Sequence, residues 1–403
     1  MIARTPERVQ ASFERDMDPL RRCTRDPAAF LSDVWGARAA VYPAAEPRGF
    51  DDLLTLDDVD RILTTTSPRI PSFRLVKAGD PIPESAYTRS GRTGSKPVSG
   101  MADPARIAEL FDDGATIVLQ GLHRNWEPVA AFCRALELQL GHPCQVNAYI
   151  TPRGAQGLAL HSDPHDVFVL QAFGHKHWEI HAAPSEPERD PIEADVGPGD
   201  CVYLPTGTPH AATTGTGLSG HLTIGVHVAR WRDVLADVWR SIEDDPAFDE
   251  ALPVGWTNDP SGFADRLRKK AGTLRSALND VDTDAVTDAR IRRFLSTRAQ
   301  LLRGVLVQGQ GIDAIGQDTE LTRRPGSVCE VQRDSDRLAV LMGDRRLDMP
   351  GWLEPAMRSV AVLDTFVVRD LAPVLADPQS RLVLARRLVR EGLLLADTAP
   401  PDG

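Results

Sequence analysis

The sequence predicts an α+β protein with a β-sandwich or barrel in its middle and helices on either side. Three observations carry that reading. Between about residues 115 and 230, short β-branched and aromatic runs recur between Gly and Pro punctuation. Before and after that stretch, apolar residues return every three or four positions. At 403 residues, the chain is also too long for one ordinary core, which suggests two or three domains.

In chain order, residues 1–60 read as helical pieces. Residues 27–35 and 55–63 have helical apolar spacing, and Thr55-x-x-Asp58 resembles a capping box. Residues 85–100 are polar and glycine-rich, so a surface loop is expected there, with a mobile flap as the sharper alternative. Strands are expected at 115–119, 146–150, 167–171, 177–181, 201–204 and 222–226, with one helix at 128–140 interrupting them. Helices return at 231–242, 261–279 and 284–304, the second carrying the basic run Arg266-Leu-Arg-Lys-Lys270. The last hundred residues mix short strands with two helices; one at 378–391 ends at Gly392 and turns into a Leu-rich strand. This segment reads as a small winged-helix-like module.

Hydrophobic residues make up 42% and charged residues 26% of the chain, an ordinary globular balance. No run approaches a membrane-spanning helix, and no apolar signal core follows the first residues, so the protein is expected in the cytoplasm. Cys23, Cys133, Cys144, Cys201 and Cys329 are odd in number and never form a C-x-x-C pair. They fit neither a disulfide framework nor a zinc finger. A net charge of -11 weighs against nucleic-acid binding and is compatible with a basic protein or peptide substrate.

The chemistry concentrates in two places. His161-Ser-Asp163 puts two ligand types two residues apart, so both project to one face of an extended chain. A distant His210 follows in Gly199-Asp-Cys-Val-Tyr-Leu-Pro-Thr-Gly-Thr-Pro-His210. Two histidines and one carboxylate are the facial triad of non-haem Fe(II) sites, and the absence of cysteine from the motif disfavours zinc. The second place is Lys176 in Lys176-His-Trp178-Glu-Ile180. Its face is otherwise apolar while the opposite face is polar, so the lysine points inward. A buried ammonium needs an anion, and a dicarboxylic cosubstrate supplies one.

Residues 146–178 and 199–210, with the later Gly220-His-Leu-Thr-Ile-Gly225, resemble the JmjC (cupin-4) ribosomal oxygenases. The resemblance implies a double-stranded β-helix (cupin/JmjC) core with N-terminal helices over residues 1–228. It further implies a helical dimerisation region over 229–304 and a winged-helix-like domain over 305–403. It implies an Fe(II)- and 2-oxoglutarate-dependent dioxygenase that uses O2 to hydroxylate a protein or peptide side chain, as family members do on ribosomal proteins. His161, Asp163 and His210 would hold the iron, with His221 as the rival third ligand. Lys176 would anchor 2-oxoglutarate; Asn147, Tyr149 and Thr223 would face it, and His165 would line the entrance. Three other outcomes stay open: a tailoring oxygenase of a small molecule or biosynthetic peptide, an N-methyl-lysine demethylase, and a non-catalytic metal-binding cupin module. A homodimer is expected, with no membrane association.

Overall fold

The computed structural model describes residues 18–44, 49–184, 187–188 and 190–397. The first residues, where an apolar signal core was sought, lie outside them, as do residues 398–403. The described residues divide into two compact units: those up to Val228, with 301–327 and those from Trp352 on, form one, and residues 229–300 and 328–351 the other.

Among the described residues, five helices precede or interrupt the sheets of the first unit: α1 (Pro19–Thr24), α2 (Pro27–Asp33), α3 (Leu56–Thr65), α4 (Pro104–Asp112) and α5 (Glu127–Leu140). Their starts follow from local chemistry. Asp18 and Asp26 accept the backbone N–H of Arg21 and Ala29, each with proline at the first helical position. Thr55 and Asp58 make the reciprocal capping box: the Asp58 N–H donates to Thr55 Oγ1 at 3.1 Å, and the Thr55 N–H to Asp58 Oδ2 at 2.9 Å.

The strands are β1 (Ala40–Tyr42), β2 (Phe73–Lys77), β3 (Asp80–Pro81), β4 (Thr88–Thr93), β5 (Lys96–Ala102), β6 (Thr116–Leu119), β7 (Cys144–Thr151), β8 (Asp166–Phe173), β9 (Lys176–Ile180), β10 (Ile192–Val196), β11 (Cys201–Leu204), β12 (His210–Thr214) and β13 (Ser219–Val226). An eight-stranded sheet runs β1-β11-β8-β13-β7-β6-β2-β3, and a smaller sheet runs β10-β9-β12. The expected strands are present. Strands β2, β10 and β12 escape the sequence because they are short or broken by polar residues.

Strand β8 shows how the layers stack. Phe168 and Leu170 belong to the larger core, with Phe30, Phe132 and Tyr203. Val167 and Val169 pack instead against Trp178 and Ile180 of the small sheet. Both faces are covered, so the strand reads as a continuous apolar run rather than an alternating one. Strand β9 alternates cleanly, with Lys176, Trp178 and Ile180 buried and His177 and Glu179 exposed.

Two expectations are corrected. Residues 88–102 are not a loop but an antiparallel hairpin, β4–β5, with a register shift between Arg89 and Gly91. Backbone pairing absorbs a polar, Gly-rich sequence there without needing an apolar face. In the second unit the helices are α6 (Trp231–Arg240), α7 (Pro260–Asn279) and α8 (Thr283–Ser296), so the last stops well before Gly304. The Asp237 carboxylate on α6 accepts hydrogen bonds from Arg290 and Arg293 on α8 at 2.9 and 2.6 Å. The C-terminal helix, Pro378–Arg390, and the strand Leu394–Ala396 fall where the sequence puts them.

Candidate metal and cosubstrate site

His161 is not part of a regular strand. It makes an isolated antiparallel bridge with His210, the first residue of β12: each backbone N–H donates to the other's carbonyl, at 3.1 and 2.8 Å. That bridge brings two residues 49 positions apart side by side, with ring centroids 4.4 Å from each other. Asp163, two residues on from His161, completes the group: one ligand atom from each of the three lies within 4.8 Å of the others. Its Oδ2 is 3.7 Å from His210 Nε2.

The Nδ1 atoms of both histidines are already engaged. His161 Nδ1 is 2.8 Å from the Ala159 carbonyl oxygen, and His210 Nδ1 is 3.0 Å from that of Thr208. A ring that donates from Nδ1 to a carbonyl keeps its Nε2 lone pair free, which is the tautomer a metal requires. Burial, and the neighbouring His161, hold His210 below the usual imidazole range, against the opposing pull of the Thr208 carbonyl. Both effects favour the neutral imidazole, the form that can coordinate a metal.

The turn that delivers His210 hangs on a buried carboxylate. Asp166 accepts from Tyr203 Oη at 2.5 Å and from the Thr206 backbone N–H and hydroxyl at 2.9 and 2.6 Å. Nothing in the sequence singled out Asp166 or Thr206. The Tyr203 of the Gly-Asp-x-x-Tyr frame was the available signal.

At the other end of the cavity Lys176 is 3% exposed and donates to Thr151 Oγ1 at 3.1 Å. Its partner is a neutral hydroxyl, and burial alone pushes its pKa from 10.5 to about 7. Strands β7 and β13 pair in register, setting Asn147 opposite Thr223 and Tyr149 opposite His221. All four line the same cavity of about 260 Å³ as the metal-type triad and Lys176. Asn147 has one acceptor committed, since its Oδ1 takes the Gly121 N–H at 2.9 Å. His221, the rival ligand, is not in the three-residue cluster; it stacks on Tyr149 with centroids 5.3 Å apart. Burial, then Lys176, then His210, hold it well below the normal imidazole range. His165 lines the cavity, with its ring centroid 5.2 Å from that of His227.

Arg74 on β2 also lines the cavity and was missed, because β2 itself was not anticipated. Its Nε donates to Gln120 Oε1 at 3.0 Å.

Residues 122–234 match the JmjC domain family. Ribosomal oxygenase 2 of Bos taurus is 38% identical over 216 residues, 49% of this chain and 43% of that protein. Ribosomal oxygenase 1 of Gallus gallus is 25% identical over 301 residues, 67% of this chain and 49% of that protein. The bifunctional lysine-specific demethylase and histidyl-hydroxylase NO66 of Branchiostoma floridae is 26% identical over 306 residues, 72% and 47% of the respective chains. The chain thus spans a little under half the length of these curated relatives. Among solved structures, the Escherichia coli ribosomal oxygenase YcfD, in complex with cobalt and 2-oxoglutarate, superposes with a TM-score of 0.56 at 19% identity, over 93% of this chain and 99% of that one. At that identity the likeness is one of fold alone, a mixed arrangement of helices and sheets.

Proposed function

We propose that this chain, whose residues 122–234 match the JmjC domain family, is an Fe(II)- and 2-oxoglutarate-dependent dioxygenase that hydroxylates a protein side chain, with a ribosomal protein as the substrate class. One observation carries the proposal: two carbonyl-oriented histidines and a carboxylate face a cavity that also holds a buried lysine with no acid on it. His161, Asp163 and His210 would hold the metal; their donor set suits ferrous iron and leaves one side open. Iron with 2-oxoglutarate and O2 supplies the oxidising power for C–H hydroxylation.

The protein's own residues do the rest. Lys176 takes up a proton as a dicarboxylate enters and grips its distal carboxylate by a charge-assisted hydrogen bond. Thr151 holds the ammonium in place meanwhile. Asn147, Tyr149 and Thr223 set the polar wall against which cosubstrate and substrate are oriented. Trp178, at 4% exposed, and the flanking Val167 and Val169 exclude water from the reacting region. The names of the relatives, ribosomal oxygenases and a histidyl-hydroxylase, support the substrate class.

We read residues 1–228 as the catalytic domain, the 229–304 helices as a homodimerisation region and 305–403 as winged-helix-like. Support for the second comes from α6, where Trp231, Leu235 and Trp239 expose 80%, 61% and 42% of their surface at four-residue spacing. Light scattering should return twice the chain mass. The reading puts the protein's work in the cytoplasm. The decisive test is anaerobic loading with Fe(II), then an assay of succinate release from 2-oxoglutarate. It is paired with intact-mass comparison of ribosomal proteins from cells with and without the gene, where one added oxygen atom is expected. A protein that releases no succinate with Fe(II) and 2-oxoglutarate present is not this enzyme.

A further inference from the structure

The cavity's charges are lopsided. Apart from Asp163, no carboxylate lines it among the described residues, while Arg74 and Lys176 both do. In the proposed reading Asp163 is committed to a dication and Lys176 to a dicarboxylate, which leaves Arg74 as the one charge in the wall not taken up by either. Register fixes where it stands. Arg74 pairs with Val118 across β2 and β6, Val118 with Tyr149 across β6 and β7, and Tyr149 with His221 across β7 and β13. These four residues form one cross-strand row. The Arg74 side chain reaches Tyr149, whose phenol also feels the Asp163 charge. Gln120 tethers Arg74 from behind, accepting from Nε at 3.0 Å while its own amide donates to the Pro71 carbonyl. The guanidinium is therefore braced, half-buried and turned to the same space as the metal-type triad.

We propose that Arg74 is a charge filter: the cavity admits an uncharged, hydrogen-bond-accepting side chain, such as an amide or a neutral imidazole, and rejects cationic ones. The inference rests on the dioxygenase reading and narrows its substrate class. A guanidinium or methylated ammonium entering beside Arg74 would be desolvated next to a like charge with no free acid to pair with. A neutral acceptor would instead take a hydrogen bond from the guanidinium, which carries donors and no acceptor. On this argument the demethylase outcome is disfavoured by the wall of the site rather than by its iron chemistry.

The test is ligand-observed NMR on the full chain loaded with Zn(II) and 2-oxoglutarate, so that Asp163 and Lys176 are both engaged, with four probes: the N-acetyl, N-methylamide derivatives of histidine, glutamine, arginine and trimethyl-lysine, at pH 8. Wild type should favour the two neutral probes by about tenfold, the scale of a like-charge penalty at a wet site. Arg74→Gln should collapse that ratio towards one, and Arg74→Glu should invert it. Arg74→Lys, which keeps the charge and loses the planar fork, should retain the preference. A purely structural role for Arg74 would weaken all four probes together. Cationic probes that bind wild type as tightly as neutral ones, or a ratio indifferent to Arg74→Glu, would overturn the filter. Succinate release is scored separately: a preserved probe ratio in a protein that turns over no 2-oxoglutarate sinks the dioxygenase reading and leaves the filter standing.

Discussion

The two ends of the cavity are built on opposite principles. At the triad the two imidazoles are pre-tied, each through Nδ1 to a backbone carbonyl, and the turn before His210 is pinned to Asp166. At the lysine end a cation is buried with a single neutral partner, and its pKa is lowered to about 7 as a result. The first arrangement stabilises geometry before anything binds. The second stores an electrostatic deficit that only an anion relieves. On the proposed reading, the same cavity would make metal binding rigid and cosubstrate binding conditional.

That contrast can be broken most forcefully at His210. His210→Ala removes a ligand and should lower succinate release by about a thousandfold, with Fe(II) uptake failing in the same sample. Full turnover in that variant would end the ligand assignment. At the other end, Lys176→Met should raise the 2-oxoglutarate KM by about 10- to 100-fold, the worth of a charge-assisted hydrogen bond, and leave metal affinity within about twofold. A parallel loss of metal would show that the ends are not independent.

A smaller effect is expected one layer out. Asp166→Asn weakens the ties to Tyr203 and Thr206, so it should cost about 1–3 kcal/mol in denaturant unfolding. Metal affinity should fall by about tenfold through misplacement of His210. A variant that loses stability but keeps its metal would separate the turn from the site.

The smallest signal is a proton. From about pH 7 to 10.5 the unfolded chain holds a proton on Lys176 that the folded, ligand-free protein lacks, so stability rises with pH across that window. Below about pH 7 both states are protonated and the burial penalty is fully felt. A dicarboxylate returns the proton. Calorimetry at pH 8 in two buffers of different ionisation enthalpy should therefore show uptake approaching one proton on 2-oxoglutarate binding, and none in Lys176→Met.

Much of this was legible in the chain. The inward lysine followed from parity alone, because β9 alternates without interruption from Lys176 to Ile180. The helix starts at Asp26 and Thr55 were written in their caps, which are local and depend on no distant residue. Arg74 was not legible, since Phe73–Lys77 is a short strand whose identity depends on pairing with β6. The hairpin at 88–102 failed for a related reason: a polar Gly-rich sequence carries no periodic signal, and cross-strand hydrogen bonds made it a strand pair.

The donor chemistry is already written in the chain: which residues can ligate, which lysine faces in, and that no cysteine joins the set. Those are properties of side-chain type and of spacing within one segment. How the donors meet depends on contacts between distant strands. The bridge between His161 and His210 spans 49 positions, and the Asp166 tie and the Arg74 row are likewise made between strands distant in the chain. Long-range pairing of this kind is fixed by the packing of two sheets about a shared core, and no local pattern encodes it.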